Sequence, residues 1–229
     1  MIPLKDTIPS RHRPYMTWIL ILINAGVFIF QLQLLNSDPV AYRALLTRFG
    51  LVPTEIVRIE PVEFLDYYPF LTYLFLHGGW MHLISNMWAL WLFGDNIEDK
   101  MGPFRFCLFY LLGGIVAGIV HLATNLGSDV PTIGASGAIA AVMGAYFLQY
   151  PSSRIITMVP IFIIPLFIEI PAMIYLAFWL VLQVYSVFLS QTGALVANVA
   201  WWAHIGGFIA GLSLHRFFFY TRRSEGYHY

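Results

Sequence analysis

Charged residues are scarce in this chain of 229 residues. Asp, Glu, Lys and Arg make up 10% of it and hydrophobic residues 59%, whereas soluble domains carry roughly 25% charged residues. Acidic and basic side chains balance, and the formal net charge of zero gives no electrostatic basis for nucleic acid as a partner. The composition therefore predicts an integral membrane protein whose surroundings are the lipid bilayer.

Cysteine is scarce as well, and metal-ligand clusters and phosphate-binding loops are lacking. The single cysteine, Cys107, lies in an apolar stretch, which excludes a disulfide within one chain and favours a small buried hydrophobe. His and Cys do not cluster at metal-ligand spacing, and no glycine-rich loop follows a strand pattern. We therefore predict neither a metal nor a nucleotide cofactor.

Long apolar runs are what this sequence has in abundance. A helix needs about 20 mostly apolar residues to cross a bilayer, and the first run lacks the cleavage site of a signal peptide. The sequence therefore predicts an all-α polytopic membrane protein with six transmembrane helices within residues 15–220. The predicted spans are residues 15–35, 78–95, 104–124, 136–151, 172–190 and 201–220.

Two of the connections between these runs are predicted to be structured. Residues 36–69 mix charged side chains with several aromatic ones, which favours a folded outer loop lying on the membrane surface. Residues 155–171 are apolar but contain three prolines. Prolines at this frequency favour a re-entrant or interfacial segment, or an extended hairpin, over a seventh helix.

Lys and Arg are distributed unevenly over the predicted loops. With both termini on the cytoplasmic side, nine of these residues lie inside and three lie outside, all three in the 36–69 loop. Short cytoplasmic loops collect Lys and Arg, so we expect a cytoplasmic arm at residues 1–14 and a cytoplasmic tail at residues 221–229. Since the arm does not look like a transit peptide, a prokaryotic cytoplasmic membrane is the expected location.

Four polar side chains share one depth in this topology. Ser136 opens the fourth helix, His204 lies near the start of the sixth, and His82 and Asn86 lie one turn apart on the second. These three helices run in the same direction, so their N-terminal ends lie at a similar depth below the outer surface. Polar groups inside a bilayer are costly and usually mark a function.

These side chains have the chemistry of a serine hydrolase. A serine hydroxyl becomes a nucleophile beside a base, and His204 is the candidate base for Ser136. His82 and Asn86 have the spacing to present two donors to an oxyanion, beside the backbone N–H groups at the start of the fourth helix. No carboxylate is placed to complete a triad, so the pattern predicts a Ser/His dyad whose imidazole is oriented by packing or backbone contacts.

Each signature also has a purely structural explanation. Small residues such as Gly134, Gly137, Gly207 and Gly211 are typical of close helix packing, and polar side chains in bundles often bond only to a neighbouring helix. The coincidence of all the signatures at one depth favours a site. The glycines would then let the fourth and sixth helices approach each other.

The motifs, in their order and spacing, resemble those of the rhomboid intramembrane serine proteases. The resemblance runs from about Leu71 to Leu214 and implies a six-helix rhomboid bundle. The matching parts are Gly134-Ala135-Ser136-Gly137, Ala203-His204 with Gly207 and Gly211, His77-Gly78 followed by His82 and Asn86, and Phe93-Gly94 with Ile97-Glu98 and Gly102. The roles implied are Ser136 as nucleophile, His204 as general base, and His82, Asn86 and the Ser136 backbone N–H as holders of the oxyanion.

The resemblance also implies the substrates, which would be transmembrane segments of other membrane proteins, cleaved near the outer surface after entry beside the fifth helix. Two features depart from the family. Ala140 stands where many members have an aromatic residue stacked on the catalytic histidine, which makes Trp201 or Trp202 the expected substitute. The Trp-Arg pair of the first loop is also absent, and His77 is expected to hold that loop.

Two other functions stay open at this stage. A rhomboid-like protein can bind transmembrane segments without cutting them, although such proteins are expected to have lost the serine or the histidine. A small transporter would use buried histidines as proton relays. The sequence shows no repeat between its halves and few intramembrane carboxylates, which speaks against a transporter.

Overall fold

Helices dominate the computed structural model, which describes residues 2–58, 63–161, 164–192 and 199–219. Short 3-10 turns lie at Phe64–Tyr67 and Tyr73–Phe75. The helices are α1 (Tyr15–Ser37), α2 (Pro39–Phe49), α3 (Pro53–Arg58), α4 (Pro69–Thr72), α5 (Trp80–Met101), α6 (Pro103–Thr124), α7 (Ser136–Gln149), α8 (Ala172–Gln191) and α9 (Trp201–Phe218). The strands are β1 (Ile2–Asp6), β2 (Arg154–Ile161) and β3 (Ile164–Pro171).

The long helices α1, α5, α6, α7, α8 and α9 fall on the predicted apolar runs. The largest difference is in α5, which continues to Met101 instead of ending near residue 95. Three of the helices, α1, α6 and α8, are long and apolar enough to cross a membrane, and α7 is a shorter apolar helix. The chain is therefore a mostly helical, multi-pass membrane protein.

A three-stranded antiparallel sheet corrects the prediction of an all-α protein. β2 and β3 form a hairpin in which Arg154 lies opposite Pro171, and β1 pairs with β2 from Ile2 opposite Met158 to Asp6 opposite Ile155. Proline has no N–H for a helical hydrogen bond, while the isoleucine-rich strands suit a pleated sheet. Of the forms expected for residues 155–171, the structure has the extended hairpin.

The N-terminal arm fastens this sheet to α5. The carbonyl of Pro3 accepts a hydrogen bond of 2.6 Å from Trp88 Nε1, and Asp6 Oδ2 accepts one of 2.9 Å from Asn96 Nδ2. The backbone N–H of Arg154 donates to the Thr7 hydroxyl at 3.0 Å. Residues 2–7 are thus an integral part of the fold.

The centre of the bundle is the contact between α7 and α9. A methyl group added to Gly207 would overlap the carbonyl oxygen of Gly137, and one added to Gly211 would overlap that of Ala141. Gly144 faces the Phe208 carbonyl in the same way. The two backbones therefore touch directly, as small residues permit in membrane helices, and this contact brings the N-terminal ends of α7 and α9 together.

The connection between α1 and α5 is folded, as expected from its composition. Leu51 and Thr132 exchange two backbone hydrogen bonds of 2.9 Å, and the Thr54 hydroxyl donates to Asp129 at 2.6 Å. These contacts join the segment to the loop before α7, where the N–H of Gly134 also donates to the Tyr73 carbonyl at 2.9 Å. The loop that precedes Ser136 is thereby held in place. Residues 59–62 lie outside the described part.

Candidate active site

Ser136 and His204 meet across the α7/α9 contact. His204 Nε2 lies 2.7 Å from Ser136 Oγ, although 68 residues separate the two in sequence. Ser136 is the first residue of α7, and the first N–H groups of a helix have no partner within it. A hydroxyl bonded to an imidazole beside the first N–H groups of a helix is an arrangement that suits nucleophilic acyl transfer.

His82 and Asn86 of α5 face the same cavity as this pair. The cavity has a volume of about 890 Å³ and is formed by the N-terminal ends of α5, α7 and α9 together with the loops before them. The four predicted site residues Ser136, His204, His82 and Asn86 all line it. We call this end of the bundle the site end.

Gly134 is required where the loop passes α5. Its φ of +125° is a conformation that residues with a side chain rarely adopt. A methyl group at this position would lie 2.6 Å from His82 Nε2, well inside van der Waals contact. The glycine thus leaves the His82 imidazole open to the cavity. The other predicted glycines, Gly137, Gly207 and Gly211, serve the helix contact described above.

His77 lies in hydrogen-bonding contact with Asn86. The Gln31 side chain of α1 holds the His77 backbone from both sides, accepting from its N–H at 3.0 Å and donating to its carbonyl at 3.1 Å. Asn86 Nδ2 lies 3.1 Å from His77 Nε2. Burial, reinforced by the neighbouring His82, lowers the pKa of His77 to about 4, so its ring is neutral near pH 7. A neutral ring can accept the Asn86 hydrogen bond. These hydrogen bonds join His77 to α1 and α5.

His204 is also contacted by two residues of α8, Gln183 and Trp179, which were not predicted from the sequence. Gln183 Oε1 lies 2.8 Å from His204 Nδ1, the ring nitrogen that faces away from Ser136. The Trp179 ring lies 5.9 Å from the imidazole, centroid to centroid, at an angle of 34°. The signal in the sequence was Gln183, a polar residue within an apolar run. The sequence alone does not show which face of α8 packs against the neighbouring helices.

Trp201 or Trp202 was expected to stack on His204, because Ala140 stands where many family members have an aromatic residue. The structure shows such a contact only in part. Trp201 does contact His204, but edge-on, with an interplanar angle of 87°. Trp179 is closer to a stacked orientation. Ala140 itself is fully buried, and its methyl group faces Gly207. A larger side chain would therefore disturb the contact between α7 and α9.

A bundle of apolar helices that encloses a hydroxyl–imidazole pair defines the chain as a polytopic membrane protein with a candidate hydrolase site. The sequence model of the Rhomboid domain matches residues 65–221. The chain therefore belongs to the rhomboid family.

Individual relatives agree with this membership. The chain is 33% identical over 144 residues to the mitochondrial presenilin-associated rhomboid-like protein of Rattus norvegicus, covering 62% of this chain and 35% of the relative. It is 27% identical over 141 residues to the chloroplastic RHOMBOID-like protein 9 of Arabidopsis thaliana, covering 61% of this chain and 31% of the relative. The chain thus spans about a third of the length of these relatives. Their names place them in organelles, so the prokaryotic membrane expected from the sequence stays a prediction.

Proposed function

We propose that the protein is an intramembrane serine endopeptidase that hydrolyses peptide bonds in or next to transmembrane segments of other membrane proteins. The observation that carries this proposal is the 2.7 Å contact between Ser136 Oγ and His204 Nε2 at the wall of an open cavity. Family membership supports it.

The reaction follows from the roles of the two side chains. Ser136 Oγ attacks the carbonyl carbon of the scissile bond while His204 Nε2 takes the hydroxyl proton. The C–N bond then breaks, and His204 returns that proton to the leaving amine. Water, activated by the same imidazole, hydrolyses the acyl-enzyme and restores the serine. No cofactor is needed for either step.

His82, Asn86 and the Ser136 N–H are the proposed donors to the oxyanion. The Gly78 N–H donates to His82 Nδ1 at 3.3 Å, so in neutral His82 the proton lies on Nε2, on the Gly134 side of the ring. Asn86 Nδ2 has two hydrogens, and its bond to His77 uses one of them. Both side chains therefore keep a donor for the negative charge that develops in the transition state.

Six spans, α1 and α5 to α9, are the proposed membrane domain. α5, α7 and α9 all begin at the site cavity, whereas Lys100, Gln149 and Phe219 at their other ends line a second cavity with Arg11. This polarity, with basic residues far from Ser136, favours an outer location for the site and cytoplasmic termini. The α2–α3 segment would then lie at the outer surface of the membrane.

Transmembrane segments are the proposed substrates because the site opens within the bundle itself. An intact helix keeps its carbonyls hydrogen-bonded, so a segment must unwind before Ser136 can reach one. The cavity offers donors to a freed carbonyl. Binding between helices of the bundle would exclude soluble polypeptides and select membrane-embedded ones.

Cleavage of a model transmembrane substrate by the purified protein in detergent tests the proposal. Ser136→Ala and His204→Ala should each lower the rate by at least about 10³-fold, with unchanged thermal denaturation. Ser213→Ala and His215→Ala, which make the same chemical changes farther along α9, should retain the activity. A fluorophosphonate probe should label the wild-type protein and leave Ser136→Ala unlabelled.

The other outcomes separate the competing functions. Cleavage that survives the loss of either Ser136 or His204 contradicts the dyad. Binding of the transmembrane substrate with neither cleavage nor labelling identifies a non-catalytic rhomboid-like protein. Proton flux in liposomes that depends on His204, again without cleavage, identifies a transporter.

A further inference from the structure

Gln183 lies in the middle of α8, where a polar side chain needs hydrogen-bond partners. It is 5% exposed, and it falls on the buried stripe of α8 at helical spacing with Leu176 and Val187. Burying an amide without hydrogen-bond partners is costly, and more so in a bundle surrounded by lipid. Both polar atoms of Gln183 do have partners.

The two partners fix the orientation of the amide. Gln183 Nε2 lies 3.0 Å from the Trp179 carbonyl oxygen, and a carbonyl can only accept. The amide nitrogen therefore points to Trp179, which leaves Oε1 facing His204 Nδ1 at 2.8 Å. An amide free to turn over would present its N–H groups to the imidazole just as readily.

The orientation of the amide in turn fixes the tautomer of His204. Oε1 can only accept, so Nδ1 of the neutral imidazole must carry the proton. Nε2 then has a free lone pair, and this is the nitrogen that lies 2.7 Å from Ser136 Oγ. The opposite tautomer would place a proton on Nε2, and the ring could not take one from the serine.

We propose that Gln183 is a positioning residue that holds His204 in the tautomer and orientation needed for it to act as the base toward Ser136. It takes the place that a carboxylate has in a Ser-His-Asp triad. The assignment rests on the proposed protease function. The Gln183 amide accepts a hydrogen bond as a carboxylate would, but it carries no full negative charge. It therefore orients the imidazole more than it raises the basicity of the ring.

Trp179 contributes to the same arrangement from the same helix. Its carbonyl fixes the amide, and its ring packs against the imidazole at 5.9 Å. The base is thus oriented by α8, while the nucleophile and the base themselves belong to α7 and α9. Displacing α8 from α9 would remove the hydrogen bond to Nδ1 without touching either member of the dyad.

NMR of the protein labelled with [15N]histidine tests the tautomer directly, with His204→Ala assigning the signal. The wild-type protein near neutral pH should show His204 protonated on Nδ1. Gln183→Met, which keeps the length of the side chain and removes the acceptor, should show a mixture of tautomers. A wild-type ring protonated on Nε2, or a ring unchanged in Gln183→Met, overturns the proposal whether or not the protein cleaves anything.

Kinetics give the second readout. In Gln183→Met, kcat should fall about 10²-fold, as expected for a misplaced catalytic group, while KM stays close to the wild-type value. Gln191→Met, the same change at the exposed end of α8, is the matched control and should leave kcat unchanged. Wild-type kcat in Gln183→Met would refute the positioning role.

Gln183→Glu separates this role from mere packing. A carboxylate restores the acceptor and favours the imidazolium, so activity should recover at high pH and the acid limb of the pH–rate profile should move to higher pH. An unshifted profile contradicts the contact. If the wild-type protein neither cleaves nor binds the probe but shows the Nδ1-protonated ring, the protease function fails and the positioning of His204 stands.

Discussion

α7 carries a polar cluster at each end, and the two differ in how their hydrogen bonds are used. At its start, Ser136 and His204 line an open cavity together with His82 and Asn86. Near its end, Tyr146 Oη donates to Asp6 and lies 2.7 Å from Ser153 Oγ. We call the second group the anchor cluster, and it includes Asn96, which donates to Asp6 at 2.9 Å.

The anchor cluster is closed. Tyr146 is fully buried, and burial raises the pKa of Asp6, an effect that the hydrogen bond from Tyr146 opposes. Its groups face one another, and they join the N-terminal arm to α5, α7 and the start of the hairpin. The site end instead keeps donors directed at a cavity. Unused hydrogen-bonding capacity, more than polarity itself, distinguishes a candidate site from a structural contact in this bundle.

Glu98 belongs with the anchor cluster in this respect. The residue is 3% exposed, and its carboxylate accepts from the backbone N–H groups of Met16 and Thr17 and from the Thr17 hydroxyl, at 2.8–2.9 Å. α1 is preceded by Pro14, which provides no side-chain cap. A residue of α5 therefore caps α1 from outside, where a negative charge is favourable.

Among the changes that leave Ser136 and His204 intact, removing a proposed oxyanion donor should give the largest effect on activity. Asn86→Ala and His82→Ala should each lower kcat by about 10²- to 10³-fold, as measured for single oxyanion donors in other enzymes. Asn125→Ala, the same truncation at another position of the site end, is the control. Rates of transmembrane substrate cleavage measure the effect, and a wild-type kcat in both variants would remove the oxyanion role.

Acid should lower the stability of the folded protein through His77, which lies at the site end. Its pKa is about 4 in the folded protein and 6.5 for the free side chain, so the unfolded state binds the proton more tightly. The free energy of unfolding therefore keeps its full value with respect to this group above pH 6.5 and decreases as the pH falls toward 4. The slope from this group is at most about 1.4 kcal/mol per pH unit.

The matched variant for this prediction is His77→Gln, which can keep an acceptor for Asn86 but does not titrate. Unfolding of both proteins in mixed detergents, followed from pH 7 to pH 5, isolates the histidine, because every other titrating group is common to both. The stability of the wild-type protein should fall more steeply. Parallel curves would mean that His77 is not buried in its neutral form.

The juxtaposition of the candidate site residues could be predicted from sequence because these residues lie at or near the beginnings of apolar runs. Ser136, His204 and the His82/Asn86 pair each lie in the first turns of a helix. Because the helices alternate in direction across the membrane, these N-terminal ends lie at one depth. The same reasoning located the long helices to within a few residues, except at the end of α5. Apolar periodicity located the helices, and the direction of each helix across the membrane, taken from the Lys and Arg distribution, placed the candidate residues at one depth.

What could not be predicted depends on contacts between distant segments. Asp6 and Tyr146 are 140 residues apart, and nothing in the arm signals that it will pair with a hairpin to form a sheet. Gln183 is visible as a polar residue, but its meeting with His204 depends on the rotation of α8 about its own axis. Helix rotation and strand pairing are set by packing across the whole bundle, which local patterns do not encode.

The smallest expected effect comes from the anchor cluster. Tyr146→Phe removes the hydroxyl that bonds to Asp6 and Ser153 and should lower the free energy of unfolding by about 1.5 to 3 kcal/mol, as for other hydrogen bonds to charged groups. Tyr185→Phe, at a tyrosine of α8 that is 56% exposed, is the control and should change little. Because the lost contacts lie at the far end of α7 from Ser136, kcat and KM of the folded protein should stay at wild-type values. A fall in kcat without a fall in stability would mean that the two ends of α7 are coupled, and that the anchor cluster serves the site as well as the fold.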